Sequence, residues 1–151
     1  MTSELMQVTA KKNQIIDNNV LKGDIFFTPT SETADDIGHV MVIEENLENT
    51  VYSYHLMRFR PNSNSFYLTY PNYGLATNGV RTQMALMAQG VQRFVLSKSQ
   101  FESILFFRPH LKEQEKISSL FVNIDSLITL HQRKCEKLQN LKSALLNRMF
   151  C

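Results

Sequence analysis

The sequence predicts an α+β fold in which a compact mixed α/β body is followed by one long projecting amphipathic helix. Before Pro109, short apolar runs alternate with turn residues, a pattern typical of strands. After Pro109, a periodic stretch without Gly or Pro continues to Cys151, which is typical of a single helix. The change in pattern divides the chain into a body, residues 1–109, and a helical segment, residues 110–151.

Five apolar runs in the body predict strands. The third run alternates, with Val51, Met57 and Phe59 on one side and tyrosines and arginines on the other, so we expect a strand that is buried on one face. The five runs are Asp24–Phe27, Val40–Ile43, Val51–Phe59, Phe94–Leu96 and Ile104–Phe107.

One short helix is predicted between these strands. The stretch from Asn78 to Gln89 contains no Pro, begins with a residue suited to capping and is followed by Gly90, as expected for a helix. The segment Asn62–Gly74 is mixed, because Pro71 would break or kink a helix and its Asn residues favour turns.

The long helix carries an apolar seam that needs a partner. Its 38 residues from Lys112 to Met149 would span about 57 Å, more than the body could cover, although a core helix of the same domain is an alternative. Leu120, Leu127, Leu130 and Leu141 widen the stripe, which suits either a partner helix plus part of the body, or two partners. The seam consists of Ile117, Phe121, Ile124, Ile128, His131, Cys135, Leu138, Leu145 and Met149.

Length and composition limit the class of protein. A chain of 151 residues with 43% hydrophobic residues can bury one core but cannot hold several domains. We expect a cytoplasmic protein without a membrane segment, because the chain has neither a long apolar run nor the apolar core of a signal peptide. Cys135 and Cys151 are about 24 Å apart on a helix, too far to form a disulfide within one chain.

Charge is distributed unevenly along the chain. Residues 1–50 carry three Lys and nine Asp or Glu, a net charge of −6, whereas residues 51–110 carry six basic residues and one Glu, a net charge of +5. Residues 111–151 carry seven basic and four acidic residues, a net charge of +3. The basic middle fits an anionic partner, and it equally fits an ordinary solvated surface.

Motifs for catalysis are missing from the sequence. Neither phosphate-binding glycine pattern occurs, Tyr70–Tyr73 lacks the second Pro of an amine methyltransferase motif, and no GxSxG turn is present. The four His residues have no metal-ligand spacing, and Asp35–Asp36 has no nearby catalytic Lys. We therefore expect no enzyme activity, no catalytic residues, and neither a metal nor a cofactor bound to this chain.

The junction and helix resemble the specificity subunit of type I restriction-modification systems. The similarity is strongest at the helix start, where Pro109 precedes Glu113-Gln114 and Ile117. In the body, Leu21–Phe26 is similar to an early strand of the family's target recognition domain. Tyr67–Arg81, and Gly90–Leu96 followed by Phe101 and Ile104, are similar to its later segments. Further matching helix residues are Phe121, Asp125, Ile128, Leu138, Lys142, Leu145 and Met149-Phe150.

The resemblance implies a non-catalytic subunit that recognises double-stranded DNA and docks methyltransferase and restriction subunits. Residues 1–109 would be a target recognition domain, with residues 1–20 unassigned, and S-adenosylmethionine would be bound by the methyltransferase partner. Family subunits carry two such domains whose helices pack antiparallel, whereas this chain has one of each. We therefore expect a half subunit, or the C-terminal portion of a longer one, that forms a homodimer through its helix and binds a bipartite target.

Polar residues in four stretches are candidates for contacts with DNA. Arg81 and its neighbours lie near a helix start, where Arg can pair with guanine and Asn or Gln with adenine. The hydroxyls near Thr30 could instead form a local turn, and a coiled-coil interaction module without specific DNA binding is the alternative function. The candidates are Thr30, Ser31, Tyr70, Asn72, Tyr73, Asn78, Arg81, Thr82, Gln83, Gln92, Arg93 and Lys98.

Overall fold

The structure, a computed structural model, describes residues 6–62 and 65–150, and it confirms the α+β class. A body of short strands and helices precedes one helix of 39 residues, about 58 Å long. The strands are β1 (Ile25–Phe27), β2 (Thr30–Ser31), β3 (Val40–Val42), β4 (Met57–Phe59) and β5 (Phe94–Val95). The helices are α1 (Lys12–Asp17), a 3-10 turn at Ala34–Asp36, α2 (Pro71–Gly74), α3 (Asn78–Met87), α4 (Lys98–Glu102) and α5 (Leu111–Met149).

Strand β1 is the centre of a three-stranded antiparallel sheet with the order β3-β1-β4. Ile25 faces Val42 on one side and Phe59 on the other, and Phe27 faces Val40 and Met57. All three residues of β1 are buried, because both faces of this central strand are covered. This accounts for its continuous apolar run.

A smaller sheet pairs β2 with β5, which are more than sixty positions apart in the sequence. Thr30 lies opposite Val95, and Ser31 lies opposite Phe94. The pairing brings the polar segment after β1 beside the polar segment before β5.

The apolar core lies between the three-stranded sheet and α3. Ile25 and Phe27 of β1 pack with Val80 and Met84 of α3, and Ile37 closes the same cluster. Each large apolar side chain buried in this way contributes about 1.5–3 kcal/mol. The core therefore positions α3 firmly against the sheet.

Two predicted strands are shorter than expected or missing. Within Val51–Phe59 only Met57–Phe59 pairs with β1, while Val51 forms an isolated bridge to Asn19. Ile104–Phe107 is not a strand, because the side chain of Gln83 occupies both the N–H and the carbonyl of Leu105. A side-chain amide has taken the place of a neighbouring strand there.

The helix predictions hold with small changes at the ends. Helix α3 begins at Asn78 as expected, but its N-cap is Thr77 and it ends at Met87. In the mixed segment, Pro71 opens the short helix α2 instead of breaking one, since Pro is well suited to a first helical turn. No helix among residues 6–62 and 65–150 is long and apolar enough to cross a membrane.

Candidate nucleic-acid interface and helix seam

The sequence Leu21-Lys22-Gly23-Asp24 forms a turn that anchors the sheet. Gly23 has a φ of 90°, a conformation that glycine adopts readily. Asp24 is 1% exposed and accepts two hydrogen bonds from Arg60, Nε at 2.6 Å and Nη2 at 2.7 Å, and one from the Leu21 N–H at 2.8 Å. Burial raises the pKa of Asp24, but the hydrogen bonds from Arg60 and Leu21 together lower it by more. The pKa of Asp24 therefore lies below its usual value.

Two arginines of the basic middle are used inside the body. Arg60 pairs with Asp24, and Arg58 donates to the Asn19 carbonyl at 2.7 Å while its guanidinium lies 5.0 Å from the centre of the Tyr52 ring. Arg58 and Arg60, which the alternating pattern places on the same side of this segment, thus both bind to residues of the body. Less of the positive charge is free for an anionic partner than the sequence indicates.

The loop before β5 projects two of the candidate residues, Gln92 and Arg93. Gln89 and Val95 exchange backbone hydrogen bonds of 3.0 and 2.9 Å across its base. Gly90 has a φ of 151°, and a Cβ there would lie 2.0 Å from the Arg93 carbonyl oxygen, so the tight turn requires glycine. The tip is solvated, with Val91 97% exposed.

Helix α3 meets the segment that follows β2. The guanidinium of Arg81 donates to the Asp35 carbonyl in the 3-10 turn, which leaves its other donors free because guanidinium has five. Asn78 and Thr82 are exposed on the same helix. We define the polar end as Thr30, Ser31, Asn78, Arg81, Thr82, Gln92 and Arg93, whose segments are connected by the β2–β5 pairing and by this contact.

The hydroxyl loop after β1 is largely occupied by local hydrogen bonds. Thr28 Oγ1 accepts from the His39 N–H at 2.9 Å, Ser31 Oγ donates to the Thr33 carbonyl, and Thr33 Oγ1 donates to Asp36 at 2.7 Å. This agrees with the turn alternative for the loop. Lys98, at the start of α4, lies 3.7 Å from the Glu102 carboxylate on an exposed surface.

Four predicted DNA contacts have partners inside the protein. Tyr70 is only 4% exposed, so its side chain belongs to the core of the body. Asn72 Oδ1 accepts from the Val42 N–H at 3.0 Å. The amide of Gln83 bonds to Gly79 and to both backbone groups of Leu105, and Tyr73 contacts α5.

Tyr73 attaches the body to the long helix. Its hydroxyl donates to Asp125 at 2.8 Å, and its ring stacks on Phe121 with the centroids 5.1 Å apart. Partial burial, followed by the hydrogen bond to the Asp125 carboxylate, raises the pKa of Tyr73 to about 12. The hydroxyl therefore remains a neutral donor at physiological pH.

Gln114 makes the other main contact between body and helix, a role that was not predicted from the sequence. Its side chain is 1% exposed, accepts from the Tyr67 N–H at 2.9 Å and donates to the Pro109 carbonyl at 2.8 Å. One turn later, Ser118 is fully buried. The sequence signal for this role was the Glu113-Gln114 pair at the helix start, because Gln114 is a polar residue on the side of the helix that faces the body.

The rest of α5 extends away from the body. Every residue from 119 to 150 is exposed, including the seam residues Ile128 at 49%, Leu138 at 64% and Met149 at 74%. Contiguous exposed apolar surface of this kind is typical of interaction sites. Among the described residues, no three His, Cys, Asp or Glu side chains lie close enough together to hold a metal ion.

The molecule thus combines a small body that carries a polar end with a projecting helix whose apolar seam is exposed. Comparison with known proteins specifies the class. The sequence model of the type I restriction modification DNA specificity domain matches residues 2–140, and the chain belongs to this family.

A curated relative has the corresponding name. The chain is 24% identical over 143 residues to a putative type I restriction enzyme MjaX specificity subunit of Methanocaldococcus jannaschii. The alignment covers 93% of this chain and 33% of that protein. The chain thus spans about a third of the length of the curated relative it matches.

Proposed function

We propose that this chain is a non-catalytic unit that recognises one half of a bipartite DNA target in a type I restriction-modification complex. The observation that carries the proposal is the family match over residues 2–140. The polar end supports it, because its donors and acceptors come from β2, α3 and the loop before β5, which the β2–β5 pairing and the Arg81–Asp35 contact connect. Such groups suit the edges of base pairs in the major groove.

The proposed DNA contacts are a reduced form of the sequence-based set. Arg93 and Gln92 project from the tight loop, and Arg81 is held in place by the Asp35 carbonyl with donors to spare. Thr30, Asn78 and Thr82 complete the polar end, and Ser31 is retained because its oxygen can still accept a hydrogen bond while its hydroxyl donates to the Thr33 carbonyl. Tyr70, Asn72, Tyr73 and Gln83 are omitted because the protein itself uses their polar groups, and Lys98 is retained only as a peripheral phosphate contact.

The chemistry of modification and cleavage belongs to partners in this proposal. Methyltransferase subunits, which bind S-adenosylmethionine, and restriction subunits would dock on the recognition unit. The exposed seam of α5 is the surface proposed for assembly, with a second copy of this chain as its immediate partner. One recognition body at each end of a helix pair would account for a bipartite target.

Selection from a random duplex library at moderate salt, with the methyltransferase partner added, tests this function. We expect enrichment of an inverted repeat with a fixed spacer. The logarithm of the affinity for the enriched duplex should fall linearly with the logarithm of the salt concentration, because phosphate contacts release counterions. A library that stays unselected in the presence of the partner would contradict the proposal.

Arg93→Ala tests the assignment of the polar end, with Arg133→Ala as the matched control on the exposed far part of α5. If Arg93 contacts a base, its loss should lower specific affinity by about 1–3 kcal/mol and relax the preference at one position. The control removes the same charge and should leave the affinity unchanged. Equal effects of the two variants would reject the assignment.

The exposed seam favours a second candidate, an interaction module without specific DNA binding. This function requires the helix and makes no use of the polar end. It predicts tight assembly with a partner protein, whereas binding to DNA would be weak and independent of sequence. The library selection therefore distinguishes the two candidates.

A further inference from the structure

We propose that His131 and Cys135 form half of a zinc site, and that two copies of this chain complete it as a centre with two His and two Cys ligands between their helices. The proposal rests on the pairing through α5 in the proposed function and adds a metal ion to it. It holds for either direction in which the two helices run. It also revises the expectation, based on the sequence of a single chain, that no metal is bound.

Two ligands of the right kind lie one helical turn apart. His131 and Cys135 are four residues apart within the unbroken helix from Leu111 to Met149. Side chains at this spacing are neighbours on one face of a helix, and two His residues at the same spacing bind zinc in helical metalloprotease sites. Imidazole nitrogen and thiolate sulfur are the usual ligands of structural zinc. Each chain therefore presents two suitable ligands together.

Both side chains are available in the single chain. His131 and Cys135 are exposed, and the Cys135 thiol is free. Along the described part of α5, the side-chain hydrogen bonds closest to them come from Ser126 and Thr129, which bond to the backbone of their own helix. A metal ion would therefore not have to displace an existing partner of either ligand.

The two ligands interrupt the apolar seam at consecutive positions. Ten positions from Ile117 to Met149 follow each other in steps of four and three, and seven of them are Ile, Phe, Leu or Met. His131 and Cys135 are the fifth and sixth, and Lys142 is the eighth. Pairing that covers the seam would bury the His131 imidazole, and a buried polar group without a partner is destabilising. A metal ion would supply that partner.

The number of ligands requires a second copy. A structural zinc ion takes four ligands in a tetrahedral arrangement, whereas no group of three His, Cys, Asp or Glu within the described part of one chain could hold a metal ion. A second copy supplies the same pair, and packed helices lie about 8–10 Å apart, so that facing side chains meet. In a parallel pair, His131 would face His131 and Cys135 would face Cys135. In an antiparallel pair centred on these residues, each His would face a Cys, so both arrangements bring four ligands together within one turn.

The charge of this centre suits an apolar seam. On binding zinc, the two Cys135 thiols release their protons to solvent and the two imidazoles bind in the neutral form. The two thiolates balance the double positive charge of the ion. The centre as a whole is neutral, so it can lie between Ile128 and Leu138 of the seam without an unpaired buried charge.

Titration with Co²⁺, which absorbs visible light when it occupies a tetrahedral site, tests the ligands. We would use the full chain carrying Cys151→Ser, kept reduced with a phosphine, in the absence of DNA. We expect a thiolate-to-cobalt charge-transfer band that reaches its plateau at one cobalt ion per two chains. Cys135→Ser should abolish this band, and His131→Ala should weaken metal binding by at least about tenfold, a loss seen even for residues behind the ligands. His55→Ala, at another exposed His, is the matched control and should leave the spectrum and the stoichiometry unchanged.

Sedimentation equilibrium with and without Zn²⁺ tests the contribution of the second copy. Zinc should lower the dissociation constant of the dimer by about tenfold or more, because a ligand that binds only the dimer shifts the equilibrium toward it. EDTA should reverse the change. His131→Ala should remove the effect of zinc, which distinguishes coordination from a disulfide between two Cys135 residues, since a disulfide needs no histidine.

Three results would overturn the zinc site: no charge-transfer band, saturation at one cobalt ion per chain without association, or the same dissociation constant in zinc and in EDTA. The proposed function is tested separately, by the library selection. Enrichment of a bipartite duplex together with any of these three results would overturn the zinc site alone. A zinc-dependent dimer that selects no duplex in the presence of the methyltransferase partner would contradict the proposed function and leave the zinc site standing.

Discussion

At the scale of single residues, the ion pair between Asp24 and Arg60 ties the start of β1 to the segment after β4. Asp24 is 1% exposed, whereas the Arg60 side chain is 38% exposed. Removing the arginine would therefore leave a buried carboxylate with the Leu21 N–H as its remaining partner. Such an uncompensated buried charge destabilises a fold more than the loss of a surface contact.

We expect Arg60→Met to lower the free energy of unfolding by about 2 kcal/mol at pH 7, less than for a fully buried pair because water reaches Arg60. Urea denaturation measures this loss. Because the pKa of Asp24 is lowered in the folded protein, the pair stabilises the protein above about pH 4, and this contribution disappears as the pH falls through the lowered pKa. The difference between wild type and variant should thus shrink in acid.

Arg93→Met is the matched control for this prediction. Arg93 is exposed on the loop before β5, so its replacement should change the free energy of unfolding by less than about 0.5 kcal/mol. A loss in Arg60→Met that is equally large at pH 3 and pH 7 would show that carbon-chain packing, not the ion pair, stabilises this site.

Single polar residues also mark the limit of what the sequence could predict for the site. Tyr73 and Gln83 resemble free DNA contacts in the sequence, but Tyr73 bonds to Asp125, 52 positions away, and Gln83 bonds to Leu105, 22 positions away. Local pattern carries no information about partners so distant. The burial of Tyr70 likewise could not be predicted, because its aromatic cluster with Phe66 forms only in the folded protein.

At the scale of elements, patterns with strong periodicity were predictable and short pairings were not. The helix after Pro109 and α3 follow from apolar spacing and from the residues at their ends. Strand β1 follows from its continuous apolar run. Ile104–Phe107 has the same apolar composition, yet it has no strand neighbour because Gln83 occupies the backbone of Leu105.

The junction between body and α5 depends on Gln114. We expect Gln114→Ala to lower the free energy of unfolding by about 2 kcal/mol, because the Tyr67 N–H and the Pro109 carbonyl would both lose their partner in a buried site. Urea denaturation of the full chain measures this effect. Gln132→Ala, at an exposed position of the same helix, removes an identical side chain and should change stability by less than about 0.5 kcal/mol.

At the scale of the whole molecule, two contacts keep the body fixed on its helix. Gln114 holds the first turn, and Tyr73 holds Phe121 and Asp125 about two to three turns further along. The body therefore cannot swing about the end of the helix without breaking both. If α5 pairs with a second copy, the number of helical residues between these contacts and the middle of the helix pair sets the separation of the two bodies.

The separation of half-sites in DNA should then follow the length of the helix. Inserting three apolar-seam heptads, 21 residues, after Arg133 adds about 31 Å between the bodies while keeping the seam in phase. Selection from a random duplex library should return the same half-sites with a spacer longer by about 9 base pairs, close to one DNA turn. A single inserted heptad is the control: it adds about 10 Å, which places the half-sites on different sides of the duplex, so tight binding should be lost. An unchanged spacer in the longer variant would show that the helix does not set the distance between half-sites.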